Sequence, residues 1–171
     1  MAEKSRTIAV RFVSDPEERA AVSAAVLAAL PDWFGIPEST AQYVSDSRGQ
    51  PFWAAEADGQ SIGFLALKKT SPVTAEIAVM GVLPEYHRSG AGRMLADAAQ
   101  DYARADGCRF MQVKTVQEGH YDEYDRTNAF YKAIGFDELE CFPTLWDEWN
   151  PCQVLVKALD PVSPCSPENR R

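Results

Sequence analysis

The spacing of apolar and polar positions changes several times along the 171-residue chain, and each change marks an element. Residues 7–13 (TIAVRFV) alternate with the period of two that a half-buried strand requires. Asp15-Pro16-Glu17-Glu18 is a helix start, with Asp15 as N-cap, Pro16 in the first turn and Glu18 at the capping-box position. That helix runs to about residue 30, burying Val22, Ala25, Val26 and Ala29, and Pro31 ends it. A loop carrying Trp33 and Phe34 leads to a second helix over 38–47. Strands follow over 51–57 and 60–69, joined by the hairpin signal Asp58-Gly59, and a further strand over 74–83 comes after Ser71-Pro72. Neighbouring strands of this kind imply an antiparallel run. Residues 93–105 then repeat Leu95, Ala98, Ala99, Tyr102 and Ala103 at helical spacing, and Gly107 closes that helix.

A strand over 109–116 comes after this helix, so the connection reads as a parallel crossover. The polar, acidic stretch 117–127 reads as a loop and 128–134 as a short helix ended by Gly135. Strands over 136–142 and 152–159 are separated by the loop PTLWDEWNP. The chain thus predicts an α/β fold with a mixed sheet, about seven strands and four helices, in one domain over 1–159. The proline-rich tail 160–171 is expected to be disordered.

Composition narrows the function classes. The chain is 46% hydrophobic and 25% charged, as in an ordinary soluble domain, and its net charge of −8 argues against a broad nucleic-acid surface. No apolar run reaches the roughly 18 residues of a membrane span, and the N-terminus lacks the apolar core of a signal peptide, so the expectation is a soluble cytoplasmic protein. The four cysteines form no C-x-x-C pair and there are only two histidines, which removes the usual patterns for zinc or a disulfide framework and predicts no metal. Cys108, Cys141 and Cys152 read as small buried hydrophobes.

The stretch 79–95 (VMGVLPEYHRSGAGRML) carries the chemistry. A strand runs to Pro84, a polar turn follows with Gly90 and Gly92, and a helix begins. A helix start leaves backbone N–H groups without internal partners and adds favourable dipole charge, so it is an anion site. The glycines let the backbone approach the anion, and Arg88 and Arg93 add positive charge. The same glycines also suit a tight strand-to-helix turn with no ligand. The P-loop is excluded because Arg93-Met94 follows Gly92 where Lys-Ser/Thr is needed. The dinucleotide fingerprint is excluded because Leu95 stands where its third glycine belongs.

This turn resembles that of the GNAT family of N-acetyltransferases, which carries Q/R-x-x-G-x-G/A after a strand with a V-x-P exit. Here Val82-Leu83-Pro84 and Gly90-x-Gly92 match, while His87 stands where the family has Gln or Arg. The segment 128–136 (NAFYKAIGF) resembles a second family block at its FY…GF end. The resemblance implies the acyl-CoA N-acyltransferase fold and acetyl-CoA as co-substrate. It places the pyrophosphate at His87, Arg88, Ser89, Gly90, Ala91, Gly92 and Arg93, and the pantetheine arm along Met80, Gly81 and Val82. Asn128 is expected to hydrogen-bond the coenzyme. A backbone N–H near Met80–Val82 is expected to hold the oxyanion, and homodimers are common in the fold.

Acetyl transfer to an amine needs a proton acceptor, an oxyanion donor and an acid for the thiolate. Glu76 matches the catalytic glutamate of the family's histone acetyltransferase branch. Strand alternation is expected to put it on one face with Ala78, Met80 and Val82, where an apolar setting raises its pKa. Glu56, Glu118, Asp122 and Glu123 are alternatives. Tyr131 resembles the family tyrosine beside the coenzyme sulfur, the candidate acid. No cysteine lies in either block, which disfavours an acetyl-enzyme. The acceptor is read as a small-molecule primary amine. The acidic stretch 118–125 and the net charge favour a cationic one such as a polyamine, aminoglycoside or lysine side chain. The alternatives are a protein lysine or N-terminal acetyltransferase and a sensor that binds acyl-CoA without turnover.

Overall fold

The computed structural model describes residues 7–160, so all but the first residue of the proline-rich tail lies outside it. Seven strands form one sheet in the order β1-β2-β3-β4-β5-β7-β6. In chain order the elements are β1 (Ile8–Phe12), α1 (Pro16–Ala28), α2 (Pro37–Ser47), β2 (Phe52–Ala57), β3 (Gln60–Ser71), β4 (Thr74–Val82), α3 (Ala91–Ala105), β5 (Phe110–Val116), α4 (Asp122–Ala133), β6 (Asp137–Asp147) and β7 (Asn150–Ala158). Strands β1 to β4 pair antiparallel, and β4 pairs parallel with β5 across the α3 crossover. This is the mixed sheet the sequence predicts.

Both faces of the sheet are covered. Helices α3 and α4 lie on one side, where Leu95, Ala99 and Tyr131 pack with Leu65, Ile77 and Met111. Helices α1 and α2 cover the other side, where Val26 and Leu27 pack with Phe52, Phe64 and Val79. Asp15 caps α1 by accepting from the Glu17 N–H, at 3.2 Å. Glu18, expected to complete a capping box, instead pairs with Arg11.

Three elements differ from the sequence reading. Helix α3 starts at Ala91 rather than Arg93, because Gly90 takes φ +92° and its carbonyl already accepts from the Met94 N–H. Helix α4 starts at Asp122, so most of the acidic stretch read as a loop is helical. Asp122, Glu123 and Asp125 sit in its first turn, where the helix dipole favours negative charge. Strand β6 continues to Asp147, through residues read as loop. The tight turn after it is held by the Asp147 carboxylate, which accepts from the backbone N–H groups of Trp149 and Asn150 and from the Asn150 side chain.

Two features of β4 position the site. The first is a bulge. Ala66 pairs with Val79 and Leu67 with Ile77, which leaves Ala78 as an extra residue. Alternation is therefore broken there: Ile77 and Met80 face α3, whereas Val79 faces α1. The second is a fork. Strands β4 and β5 pair only from Thr74–Phe110 to Ile77–Val113. Beyond that point β4 stays with β3 as far as Val82, and β5 stays with β7 as far as Val116. The strands part, and their facing backbone edges border an open slot.

Candidate active site

A cavity of about 1400 Å³ fills the fork and runs from the α2 side to the start of α3. Its walls are residues 76–82 of β4, residues 113–116 of β5, the α1–α2 loop and one side of α4. A smaller depression of about 480 Å³ between α1 and α2 holds Arg48 as its only charged side chain.

The bulge decides where Glu76 points. Its neighbours Ala75 and Ile77 belong to the α3-side core, so Glu76 lies on the α1/α2 side, the side of Val79 and Gly81. The expected shared face with Met80 and Val82 is corrected accordingly. Glu76 is 4% exposed and heavily engaged. Lys114 Nζ donates to its Oε2 at 2.7 Å, the Gln112 amide donates to the same oxygen, and Lys68 Nζ stands 3.2 Å from Oε1. Burial pushes its pKa up, but the hydrogen bonds from Lys114 and Gln112 and the charges of both lysines outweigh burial, and the net shift is downward. The raised pKa expected from an apolar strand is thus overturned. Two lysines and an amide surround a carboxylate that the sequence placed among apolar neighbours.

Tyr131 reaches the slot from the opposite side. It is 5% exposed in the α3-side core, with its ring 5.6 Å from that of Phe136, and it lines the cavity. Burial pushes its phenol well above the ordinary value. Glu76 and Tyr131 therefore flank the fork from opposite faces of the sheet.

Asn128 does not face the slot. Its side-chain amide donates to Val116 O at 2.9 Å and to Tyr124 O at 2.8 Å, and the residue is 1% exposed. It fastens α4 to the end of β5, and the expected hydrogen bond to the coenzyme is corrected to this internal role.

The glycine turn lies at the other end of the cavity. Gly90 holds its positive φ with open space around it, and Arg88 is also left-handed, at φ +64°. His87, Arg88 and Arg93 line this end, so it is basic although the whole chain is acidic. His87 Nε2 donates to Val82 O at 2.7 Å, which braces the turn against β4. Ser89 Oγ accepts from the Ala91 N–H at 3.4 Å, and the Ala91 side chain is buried. The Ser89 hydroxyl, which only accepts in this contact, keeps its own O–H to donate.

Two glycines serve packing as well. A Cβ on Gly92 would lie 3.1 Å from the Phe130 ring, and one on Gly81 would lie 2.8 Å from Leu30 Cδ1. Gly81 therefore gives α1 room where it crosses β4, and it also lines the cavity.

Lys114, Thr115 and Tyr43 line the site and were not singled out from sequence. Lys114 and Thr115 lie on β5, and polar side chains in a central strand covered on both faces were the available signal. Tyr43 of α2 lines the cavity, and its pKa is raised by burial and by the charge of Glu76. Trp33 ties the α1–α2 loop to α4: its indole donates to Thr127 Oγ1 at 3.1 Å and its carbonyl accepts from the Tyr124 hydroxyl at 2.7 Å. Burial and neighbouring negative groups push the Tyr124 phenol up to about 12. Much of the acidic stretch is engaged locally, since Glu118 pairs with Lys132 and Asp125 accepts from the Gly119 N–H. Of the alternative bases, Glu56 pairs with Arg11. No group of side chains suited to a metal ion occurs among the described residues.

The Acetyltransferase (GNAT) family model matches residues 20–136. The chain belongs to the GNAT family. It is 30% identical over 138 residues to an aminoglycoside N(6')-acetyltransferase type 1 of Stenotrophomonas maltophilia, an alignment covering 73% of this chain and 84% of that one. Among solved structures, aminoglycoside 6'-acetyltransferase type Ii matches with a TM-score of 0.72 at 16% identity, covering 91% of this chain and 99% of that one. The yncA protein of Salmonella typhimurium, solved with acetyl-CoA, matches with a TM-score of 0.66 at 20% identity over 92% of this chain and 96% of that one. The GNAT chain described here is an acetyl-CoA-dependent N-acetyltransferase, and its slot fits that co-substrate. The basic glycine turn suits a diphosphate, and the unpaired strand edges suit the amides of a pantetheine arm. No described helix is long and apolar enough to cross a membrane.

Proposed function

We propose that the enzyme acetylates a primary amine of a small molecule by direct attack, with donor and acceptor bound together. The observation that carries this reading is the placement of Glu76 and Tyr131 on opposite faces of the fork, with the open edge of β4 between them. The amine sheds its proton on one side and the sulfur gains one on the other.

Acetyl-CoA supplies an acetyl group activated as a thioester. The α3 N-terminus with Gly90, Arg88 and Arg93 holds its diphosphate, and the β4 edge at Met80–Val82 orients its arm. A main-chain N–H of that edge holds the negative charge that develops on the carbonyl oxygen. Tyr131 gives a proton at the sulfur.

Glu76 receives the proton of the acceptor ammonium, directly or through water. Because its pKa is lowered, it is ionised throughout the neutral range and always ready to accept. It is also a weak base. Moving a proton from an alkylammonium onto a carboxylate whose pKa is lowered is uphill, so the transfer is completed as the nitrogen–carbon bond forms and the ammonium becomes more acidic. Lys68 and Lys114 hold the carboxylate in place at the fork.

The acceptor enters from the α2 side, past Tyr43 and Trp146. The aminoglycoside-acetylating relative supports a small-molecule amine, and a cationic one is the acceptor we propose. Direct attack is tested by incubating the enzyme with acetyl-CoA labelled in its acetyl group. Label should pass to an added amine and none should remain on denatured protein. Label held by the protein before the amine is added would replace direct attack with an acetyl-enzyme.

A further inference from the structure

Thr115 has a polar atom that nothing in the fold uses. The residue is 4% exposed, its Oγ1 is buried, and that oxygen has no hydrogen-bond partner. Gln153 sits directly across on β7, but its amide donates to Glu140 O and Val154 O instead. Buried hydroxyls are nearly always satisfied, so one left without a protein partner in the wall of a binding slot calls for a partner from outside the fold, a ligand atom or a water.

Its position says which atom. Strand β5 pairs with β7 without interruption from Phe110 to Val116, so its alternation is unbroken. Met111 and Val113 face the α3/α4 side, and Thr115 therefore faces that side too. It stands two residues past Val113, the last β5 residue paired with β4, and it lines the slot. Tyr131 lines the slot from the same side, while Glu76 and Lys114 lie on the other. The α3/α4 side of the fork thus holds the hydroxyls of Thr115 and Tyr131, and the other side holds the Glu76 carboxylate.

We propose that Thr115 is a second hydrogen-bond donor to the departing sulfur of acetyl-CoA, beside Tyr131. This rests on the direct-attack reading above. As the nitrogen–carbon bond forms, the carbon–sulfur bond breaks and its electron pair goes to sulfur. The ammonium loses two protons in all; one is replaced on sulfur through Tyr131 and one goes to solvent. Thr115 keeps its proton and donates a hydrogen bond throughout. The phenol of Tyr131 is made less acidic by its burial, so a thiolate leaving beside it gains from a donor that need not ionise.

The test uses the full chain and coenzyme A itself. The pKa of the bound coenzyme thiol is read from thiolate absorbance against pH in wild type, Thr115→Val and Thr115→Ser. Affinity for desulfo-coenzyme A is measured in all three. The Val variant should raise the bound thiol pKa by about one unit and lower kcat about tenfold, with KM for acetyl-CoA and desulfo-coenzyme affinity within about twofold. Thr115→Ser should restore both quantities. An unchanged thiol pKa in the Val variant, or Ser behaving as Val does, overturns the proposal. So does equal loss of desulfo-coenzyme binding, which would assign the hydroxyl to the arm or to the fold. Should the Val variant fail to fold, Thr115→Ala carries the comparison. Wild type showing amine acetylation through a labelled acetyl-enzyme would sink the direct-attack reading instead, a result the thiol titration does not produce.

Discussion

Lys114 on β5 reaches Glu76 on β4 at 2.7 Å, across the point where the two strands cease to pair. This ion pair lies on the α1/α2 side of the fork and favours the ionised carboxylate. Its consequence for catalysis concerns pH. With Glu76 deprotonated at all working pH values, it contributes no inflection between about pH 6 and 9. The rate should instead rise with the neutral fraction of the acceptor amine. Glu76→Gln should lower kcat/KM by roughly 100-fold at every pH in that range. A pH–rate series on both proteins checks this; a loss confined to the acid end would mean that Glu76 titrates there and that its pKa is raised.

The same pair links stability to pH. A carboxylate whose pKa is lowered on folding stabilises the protein above its unfolded value of about 4.3, and that contribution is lost as pH falls through the lower folded value. The gap in Tm between wild type and Glu76→Gln should therefore be full at pH 6 and close below about pH 4. Thermal melts across that range measure it.

Tyr131→Phe removes the proposed acid and keeps the ring that packs on Phe136. Turnover should fall by about 10- to 100-fold while coenzyme affinity stays within about twofold. Calorimetric titration beside initial rates separates the two, and equal turnover would remove Tyr131 from the chemistry.

Gly90→Val places a β-branched residue at φ +92°. Nothing stands within 4 Å of the added Cβ, so the cost is conformational, about 1–2 kcal/mol, and the fold should survive. The turn should shift, and coenzyme A should bind at least about tenfold more weakly. Retained affinity would show that the turn does not hold the diphosphate.

Asn128→Ala should act on stability alone. The buried carbonyl Val116 O loses its side-chain donor and Tyr124 O loses an extra one, and the cost should be about 1–3 kcal/mol. Denaturant unfolding measures the loss. KM for acetyl-CoA should stay near wild type, where a coenzyme contact would have raised it.

The order of elements was legible because each carries its own local pattern: the period of Leu95–Ala103, the Asp58-Gly59 hairpin and the glycine turn. Glu76, Tyr131 and Gly90, singled out from sequence, all line the large cavity. What sequence spacing does not show is a bulge. Ala78 has no mark that separates it from an ordinary strand residue, yet it moves Glu76 to the other face of the sheet. The partners of Glu76 were hidden for a related reason. Lys68, Gln112 and Lys114 come from two other strands and meet only through register. The internal role of Asn128 was hidden because Val116 O meets it only when α4 packs on β5, where its amide ties the helix to the strand. Residues 143–147 read as loop because proline, aromatics and acids mix there, and pairing with β7 extends the strand.

The central claim is transfer of acetyl from acetyl-CoA to a small-molecule amine, and amine-dependent release of coenzyme A thiol tests it most directly. Wild-type enzyme with acetyl-CoA should release thiol only when an acceptor from a panel of aminoglycosides, polyamines and simpler primary amines is present. Mass spectrometry should find one acetyl group on the amine for each thiol released. Acetyl-CoA that binds firmly yet yields no thiol with any amine of the panel would contradict the account and leave an acyl-CoA-binding protein without turnover.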